Sequence, residues 1–314
     1  MSTNQPSVTT EEAVVQVDAL RMRYGTNDVL DGVGFSVDRG EVVALLGPNG
    51  AGKTTTIEIL EGFRVRSAGE VTVLGEDPAL APEPWRARVG IVLQSWRDHP
   101  RWSPKALLDH LASYYRPYST PERPRPYPVG ELLEMVGLTG QADQKIRTLS
   151  GGQRRRLDVA VGIIGRPELL FLDEPTAGFD PQAKREFHDL VHQLSDLEST
   201  TILLTTHDLD EAEKLADRIL ILATGRIVAD GSADELSRQV TKDAEVRWTR
   251  DGQPFVHSTP DATAFIRELL GQHHDIANLE VRRATLEDTY IAMVQREESG
   301  QSPGRQTRFE EVKE

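Results

Sequence analysis

The sequence of 314 residues contains no cysteine, few aromatic residues and no long apolar run. Without cysteine, the chain can form neither a disulfide scaffold nor a zinc ribbon, and it cannot use a thiol nucleophile. The densest apolar stretches, such as Leu169 to Leu172 and Ile219 to Ala223, are strand-sized and far short of the roughly 18 residues that a membrane-spanning helix needs. Residues Met1 to Thr10 are polar and lack the apolar segment of a secretion signal, so no signal peptide is predicted.

Basic side chains are outnumbered by acidic ones, 36 to 50, which gives a formal charge of −14. This charge makes the chain a poor general ligand for nucleic acid, and no nucleic-acid partner is expected. The hydrophobic fraction of 38% is sufficient for folded cores and excludes a fully disordered chain. The length predicts about two domains, or one large domain with an appendage.

Short apolar runs alternate with helical periodicity from Val14 onward, a pattern typical of a parallel α/β core. Val42 to Leu46 and Thr201 to Thr206 have the continuous apolar character of strands that are covered on both faces. A stripe of apolar residues from Phe187 to Leu197 has helical spacing and predicts a crossover helix. Five prolines between Pro117 and Pro128 exclude a continuous helix there and predict a loop.

The pattern changes after about Val240. Two short β segments flank the turn Asp251-Gly252, and a helix, a strand and a final helix capped by Thr285 follow. These segments predict a small α+β appendage. The predicted organisation is a disordered tail at 1–12, a main domain at 13–238, the appendage at 240–297 and a second disordered tail at 298–314.

A glycine-rich loop joins the strand Val42 to Leu46 to a predicted helix from Thr55 to Leu60. Its glycines allow consecutive backbone N–H groups to turn inward around phosphates, and the helix directs its positive end at them. Lys53 is placed to reach the β- and γ-phosphates, and the Thr54 hydroxyl to ligate Mg²⁺. The predicted nucleotide-binding residues of this segment are Gly47, Pro48, Asn49, Gly50, Ala51, Gly52, Lys53, Thr54 and Thr55.

The apolar strand Leu169 to Leu172 ends in two carboxylates, Asp173 and Glu174. A buried strand presents its C-terminal residues at the ligand edge of an open parallel sheet. We therefore expect Asp173 to hold Mg²⁺, directly or through water, and Glu174 to orient or deprotonate the attacking water. A strand that simply ends in a charged turn is the alternative, and the nearby phosphate loop favours the catalytic interpretation.

Residues from about Val14 to Ser237 carry further motifs in the order found in ABC-type ATPases, and the chain resembles that family. Residues 149–153 match the family's signature sequence letter for letter. The other matching positions are Tyr24 (adenine stacking), Gln94 (Q-loop), Asp180 (D-loop) and His207 (switch histidine), and the signature consists of Leu149, Ser150, Gly151, Gly152 and Gln153.

The resemblance implies a P-loop NTPase fold with a parallel-sheet core, an antiparallel β arm and a helical subdomain over about 95–160. In the family, two domains face head to tail, so Ser150 and Gly152 are expected to contact the γ-phosphate held by a second copy of the chain. ATP is the implied substrate and Mg²⁺ the cofactor. The D-loop departs from the common family form because Ala177 replaces a serine. The implied catalytic residues are Glu174, His207, Gln94 and Lys53, and the implied magnesium ligands are Thr54, Gln94 and Asp173.

Members of the family drive transport or act on ribosomes or DNA. The chain carries one set of motifs and no sustained heptads, which favours a transporter subunit over a soluble ATPase of the other kinds. The run Leu286 to Met293 resembles the C-terminus of bacterial daunorubicin-type resistance exporters, which pair with a separate membrane permease. Export of drugs or lipid-like compounds from the cytoplasmic face of the membrane is the implied function, and an importer ATPase is the alternative. The segment from Gln94 to about Trp102, which carries Trp96 and Trp102 in a polar stretch, is predicted to contact the permease. Ordinary core packing of both tryptophans is the alternative.

Overall fold

The computed structural model describes residues 13–92, 100–176, 179–240, 244–250, 252–273, 275–282 and 285–298. The chain divides into two compact units, Met1–Ala233 and Asp234–Glu314. Each unit is described by itself below. No helix in the described part of the chain is long and apolar enough to cross a membrane.

The first unit contains two β-sheets. Their strands are β1 (Ala13–Tyr24), β2 (Asn27–Asp38), β3 (Val42–Leu46), β4 (Ala68–Val73), β5 (Val89–Val92), β6 (Leu169–Asp173), β7 (Thr201–Thr206), β8 (Arg218–Ala223) and β9 (Arg226–Gly231). A six-stranded sheet has the order β5-β6-β7-β3-β8-β9, and all its neighbours are parallel except β8 and β9. A three-stranded antiparallel sheet has the order β2-β1-β4.

The central strands are apolar on both faces because helices cover both sides of a parallel sheet. Every residue of β3 and β7 is buried. Since parallel strands end at one edge, β3, β6 and β7 bring the loops that follow them to the same edge of the sheet. This is the edge at which the sequence predicts the phosphate loop, the two carboxylates and His207.

The first unit also contains helices, which pack against the strands. They are α1 (Lys53–Leu60), α2 (Glu83–Arg86), α3 (Pro104–Tyr115), α4 (Val129–Met135), α5 (Gly151–Ile163), α6 (Pro181–Glu198) and α7 (Leu209–Leu215). A further helix, α8 (Ala233–Val240), begins at the last residue of the unit. The close packing of α5 on β5 requires glycine, since a Cβ on Gly162 would lie 2.4 Å from the Val92 side chain. The loop predicted around the prolines begins with a 3₁₀ turn, Arg116–Tyr118, so the prediction misses that short element.

The second unit is a small α+β structure. It contains β10 (Ala244–Arg250), β11 (Gln253–Thr259), α9 (Ala262–Gln272), β12 (Ile276–Arg282) and α10 (Leu286–Glu298). The strands pair antiparallel in the order β11-β10-β12. Trp248, Phe255 and Phe265 pack together, with ring centroids 5.6 and 5.7 Å from Trp248. Thr285 caps α10 through reciprocal hydrogen bonds with Asp288, as the sequence predicts.

The α/β fold class predicted from the sequence is confirmed, with a mostly parallel core sheet and an antiparallel arm. The proposed bounds of the tails, main domain, helical subdomain and appendage remain predictions. The tail residues 1–12 and 299–314 lie outside the described part of the chain.

A cluster of arginines surrounds Glu168 at the start of β6, at the sheet edge opposite the predicted site. Arg88 forms two hydrogen bonds with its carboxylate at 2.9 and 3.0 Å, and Arg125 and Arg39 approach to 3.4 and 3.6 Å. Burial alone raises the pKa of Glu168, but the hydrogen bonds of Arg88 and the charges of Arg88, Arg123 and Arg125 together outweigh it and lower the pKa to about 2. Glu168 therefore ties the first residues of β6 to several distant segments.

Glu168→Gln is expected to lower the free energy of unfolding at pH 7 by about 3 kcal/mol, from the difference between the pKa of about 2 and the usual 4.5. Because the folded-state pKa is depressed, this stabilisation is complete above pH 4.5 and is lost as the pH falls towards 2. Denaturant unfolding at pH 7 and pH 3 measures both effects. Asp28→Asn, which breaks an exposed pair with Arg23, is the control and should change the midpoint far less. Equal effects of the two substitutions would contradict the assignment.

Candidate active site

The phosphate loop joins β3 to α1 and is shaped by its glycines. A Cβ on Gly47 would lie 2.3 Å from the carbonyl oxygen of Leu222 in β8, so only glycine allows this close approach. Gly50 and Gly52 have φ angles of +84° and +106°, in the left-handed region that glycine tolerates. The loop therefore depends on glycine at these three positions, as a glycine-rich phosphate-binding loop does.

The first turn of α1 leaves its backbone N–H groups available to an anion. Gly52 is the N-cap and provides no side-chain cap, and the first turn contains no acidic residue. The side chain of Thr54 is exposed at this helix end, whereas Thr56 donates its hydroxyl to the carbonyl of Gly52. An unblocked helix N-terminus carries a partial positive charge and favours a bound phosphate.

Lys53 is a buried cation within the loop. Its Nζ donates to the carbonyl oxygens of Gly47 at 2.7 Å and Pro48 at 3.3 Å, and only 7% of the residue is exposed. Burial lowers the pKa of Lys53, while the negative charges of Glu174 and Asp173 act in the opposite direction. The ammonium group thus bonds to the loop carbonyls and lies within the electrostatic influence of the carboxylates at the end of β6.

The two carboxylates at the end of β6 are held by β7. Asp173 accepts a hydrogen bond from the Thr205 hydroxyl at 2.5 Å, and the Glu174 N–H donates to the Thr205 carbonyl at 3.1 Å. Glu174 has a φ angle of +43°, an uncommon conformation for a residue with a Cβ. Its carboxylate Oε1 lies 3.1 Å from Nδ1 of His207. The structure therefore brings together Glu174 and His207, which the sequence separates by more than thirty residues.

The loop that carries His207 is fixed on both sides. Thr206 donates its hydroxyl to the buried Glu211, and Asp208 forms an ion pair with Lys184 at 2.6 Å. Burial raises the pKa of Glu211, and hydrogen bonds from Thr206 oppose that shift. The side chain of His207 itself is 60% exposed. The imidazole is thus accessible at the sheet edge while its neighbours are anchored.

The signature residues form the N-terminus of α5. Ser150 is the N-cap, and its hydroxyl accepts from the N–H of Gln153 at 3.3 Å while the Gln153 side chain accepts from the Ser150 N–H at 2.9 Å. The helix itself begins at Gly151, directly after this N-cap. A Cβ built on Gly151 or Gly152 meets no atom within 4 Å. Packing within the chain therefore does not require glycine at either position.

Two other predicted residues have structural contacts of their own. Tyr24 is 41% exposed at the end of β1, and the guanidinium of Arg64 lies 5.3 Å from its ring centroid. Asp180 caps α6 by accepting from the N–H groups of Gln182 and Ala183 at 2.9 and 2.8 Å. Gln94, Trp96 and the D-loop residues 177–178 lie outside the described residues. Trp102 is half-buried, and its ring lies 5.3 Å from that of His110.

Sequence reasoning missed three buried charged residues around the site. Arg155 donates to backbone carbonyls at the end of β6, Glu211 anchors the His207 loop, and Glu61 lies at the end of α1 with 6% exposure. Burial, and then the charges of Asp173 and Glu58, raise the pKa of Glu61 to about 8. A charged residue within an apolar helix face was the available signal for Glu61, whereas Arg155 is indistinguishable in sequence from its neighbours Arg154 and Arg156.

The family model, the relatives and the solved structures that resemble this chain all point to the same family. The family model described as ABC transporter matches residues 30–177. The Nod factor export ATP-binding protein I of Ralstonia nicotianae is 41% identical over 224 residues, which cover 71% of this chain and 68% of the relative. The daunorubicin resistance ATP-binding protein DrrA2 of Streptomyces coeruleorubidus is 34% identical over 307 residues, which cover 89% of this chain and 94% of the relative. A solved structure described as the ATP binding subunit of an ABC transporter aligns with a TM-score of 0.62 and 28% identity, over 72% of this chain and 92% of that one.

The fold and the site define an ATPase of the P-loop type. The chain belongs to the ABC transporter family, as the ATP-binding subunit. Its resemblance to the ATPases of the drug-resistance exporter group is confirmed by relatives that carry those names.

Proposed function

We propose that this ATPase powers export of a drug-like or lipid-like compound through a separately encoded membrane permease, as a head-to-tail dimer at the cytoplasmic face of the membrane. The observation that carries the proposed chemistry is the pairing of Glu174 with His207 at 3.1 Å, at the sheet edge that also holds Lys53. The export direction is supported by relatives named for Nod factor export and for daunorubicin resistance.

ATP binding draws on the phosphate loop and the N-terminus of α1. When ATP binds, the Lys53 ammonium group gives up its hydrogen bonds to the loop carbonyls and donates to β- and γ-phosphate oxygens instead. Tyr24 stacks on the adenine. The Thr54 hydroxyl and the Asp173 carboxylate are hard oxygen donors, which suits a magnesium ion that also binds phosphate. When bound there, a magnesium ion would neutralise part of the phosphate charge. Gln94 is proposed as a further ligand.

Hydrolysis is an in-line displacement at the γ-phosphorus. Glu174 accepts a proton from the attacking water as the new bond from oxygen to phosphorus forms, and the bond to the bridging β–γ oxygen breaks to release ADP and phosphate. The proximity of His207 to Glu174 supports the proposal that the imidazole donates to a γ-phosphate oxygen. In this proposal the carboxylate removes the proton and the imidazole recognises the phosphate charge.

The signature is proposed to act on the nucleotide of a second chain. The N-terminus of α5 is a second anion-binding helix end, and its first turn contains no acidic residue. The open space beside Gly151 and Gly152 allows a phosphate or a facing backbone to approach closely. Ser150 keeps its hydroxyl proton available, since in the capping box its oxygen is the acceptor.

Ser150→Arg is expected to abolish dimer formation and ATP turnover, because a bulky cation replaces a small hydroxyl where the second nucleotide binds. Ser150→Ala is the matched control, since it also removes the N-cap, at a cost of about 1 kcal/mol, but adds no bulk. The control should retain ATP-dependent dimerisation. Turnover and mass in solution measure both variants.

Mixing Ser150→Arg with Lys53→Ala tests the trans arrangement. One chain then contributes an intact phosphate loop and the other an intact signature, so each mixed dimer contains one complete site. Partial recovery of turnover is expected. If a mixed dimer forms, as its mass in solution shows, and stays as inactive as its components, the two motifs do not act across chains.

A further inference from the structure

Arg155 is a buried cation in the first turns of the signature helix α5, five residues after Ser150. Only 7% of the residue is exposed. Its Nε donates to the carbonyl of Pro175 at 2.8 Å, and its Nη2 donates to the carbonyl of Asp173 at 3.2 Å and lies 3.5 Å from that of Glu174. One guanidinium therefore contacts three consecutive backbone carbonyls.

These carbonyls belong to the turn that orients Glu174. The residue has a φ angle of +43°, which a side chain with a Cβ adopts only where the surroundings hold it. Its N–H is held from one side by Thr205, both by the carbonyl and by the hydroxyl oxygen at 3.1 Å. Arg155 holds the carbonyl side of the same turn. The conformation that aims the Glu174 carboxylate at His207 is thus fixed by β7 and α5 together.

The chemistry of this contact is specific to arginine. Its planar guanidinium presents several N–H donors in a fixed fork, whereas lysine carries a single compact ammonium group. Burial lowers the pKa of Arg155, and the charge of Asp158, whose carboxylate lies 3.9 Å away, opposes that shift. The neighbouring Arg156 differs because its guanidinium pairs with Glu186 on α6.

We infer that Arg155 is a positioning residue that holds the turn at Glu174 and links it rigidly to the signature helix. A helix transmits displacement along its length, so contact of Ser150 with a nucleotide moves the anchor of the catalytic carboxylate in the same chain. The inference rests on the proposed roles of Glu174 and of the signature. It names the physical connection by which one composite site would sense the state of the other.

Arg155→Lys is expected to lower kcat for ATP by about 10- to 100-fold, since small misplacements of catalytic groups cost up to roughly 10²-fold. KM for ATP should change less than about twofold, because nucleotide binding uses other residues. Arg156→Lys is the matched control on the same helix and should retain the parent kcat. Each rate is measured at a temperature where melting curves show the variant folded. If the lysine variant folds poorly, kcat and KM are measured on Arg155→Gln, which carries a single neutral amide group in place of the guanidinium.

A double-mutant cycle that combines Arg155→Lys with Glu174→Gln separates a positioning role of Arg155 from a purely structural one. If Arg155 acts through Glu174, then Arg155→Lys should change the residual rate of the Glu174→Gln protein by less than about twofold. If the rate losses of the two single variants multiply in the double variant, the inference is overturned. An Arg155→Lys protein with the parent kcat would also overturn it, whether or not its melting temperature is lower. Parent turnover in Glu174→Gln itself would instead refute the proposed function, so the two failures are distinguishable.

Discussion

Glu174→Gln is expected to lower the rate of ATP hydrolysis by about 10²- to 10⁴-fold, the usual contribution of a positioned general base. The substitution keeps the shape of the side chain and one oxygen for His207, but removes the group that accepts the proton. ATP binding should persist, since the groups proposed to hold the phosphates are unchanged. Removing a negative charge near the γ-phosphate favours the ATP-bound state further. Steady-state turnover and nucleotide affinity measure the two effects separately.

Glu186→Gln is a suitable control for the loss of a carboxylate. Glu186 lies on α6 and pairs with Arg156, away from the phosphate loop, so its amide variant should hydrolyse ATP at the parent rate. Hydrolysis at the parent rate in the Glu174→Gln protein would remove Glu174 from catalysis.

Lys53→Ala is expected to weaken ATP binding on the order of 10²-fold or more and to abolish turnover. The loss of a charged partner from a desolvated ion pair typically costs about 2–5 kcal/mol, and each 1.4 kcal/mol is a factor of ten. The fold should survive, because Lys53 bonds only to carbonyls of its own loop among the described contacts. Nucleotide affinity and the melting temperature are measured on the same sample.

The control for Lys53→Ala is Lys105→Ala, which removes an exposed lysine paired with Asp109 on α3. It should change neither ATP affinity nor turnover. Normal turnover in Lys53→Ala, or inactivity that arises only from unfolding, would contradict the role assigned to Lys53.

The elements that local sequence patterns determine were predictable. The buried strands β3 and β7 have their predicted bounds because a run of apolar residues has one stable environment, between two layers of helices. The phosphate loop is similarly local, since three closely spaced glycines and the following helix set its geometry. Ser150 and Gln153 form a capping box, which their spacing also permits.

The contacts made by single long side chains could not be predicted. Arg154, Arg155 and Arg156 are identical in type, and only the rotation of α5 against β6 decides which one reaches the turn at Glu174. The arginines around Glu168 come from three distant segments and meet only after the sheet has formed. Glu61 depends on tertiary packing in the same way, because burial and the nearby Asp173 determine its charge.

ATP is proposed to join two copies of this chain through composite sites. The most direct measurement is the mass of the Glu174→Gln protein in solution, by size exclusion with light scattering, in saturating Mg-ATP and in ADP. The mass of two chains is expected with ATP and the mass of one chain with ADP, because uncleaved ATP holds both sites closed. A protein that has bound ATP and still has the mass of one chain would contradict the claim.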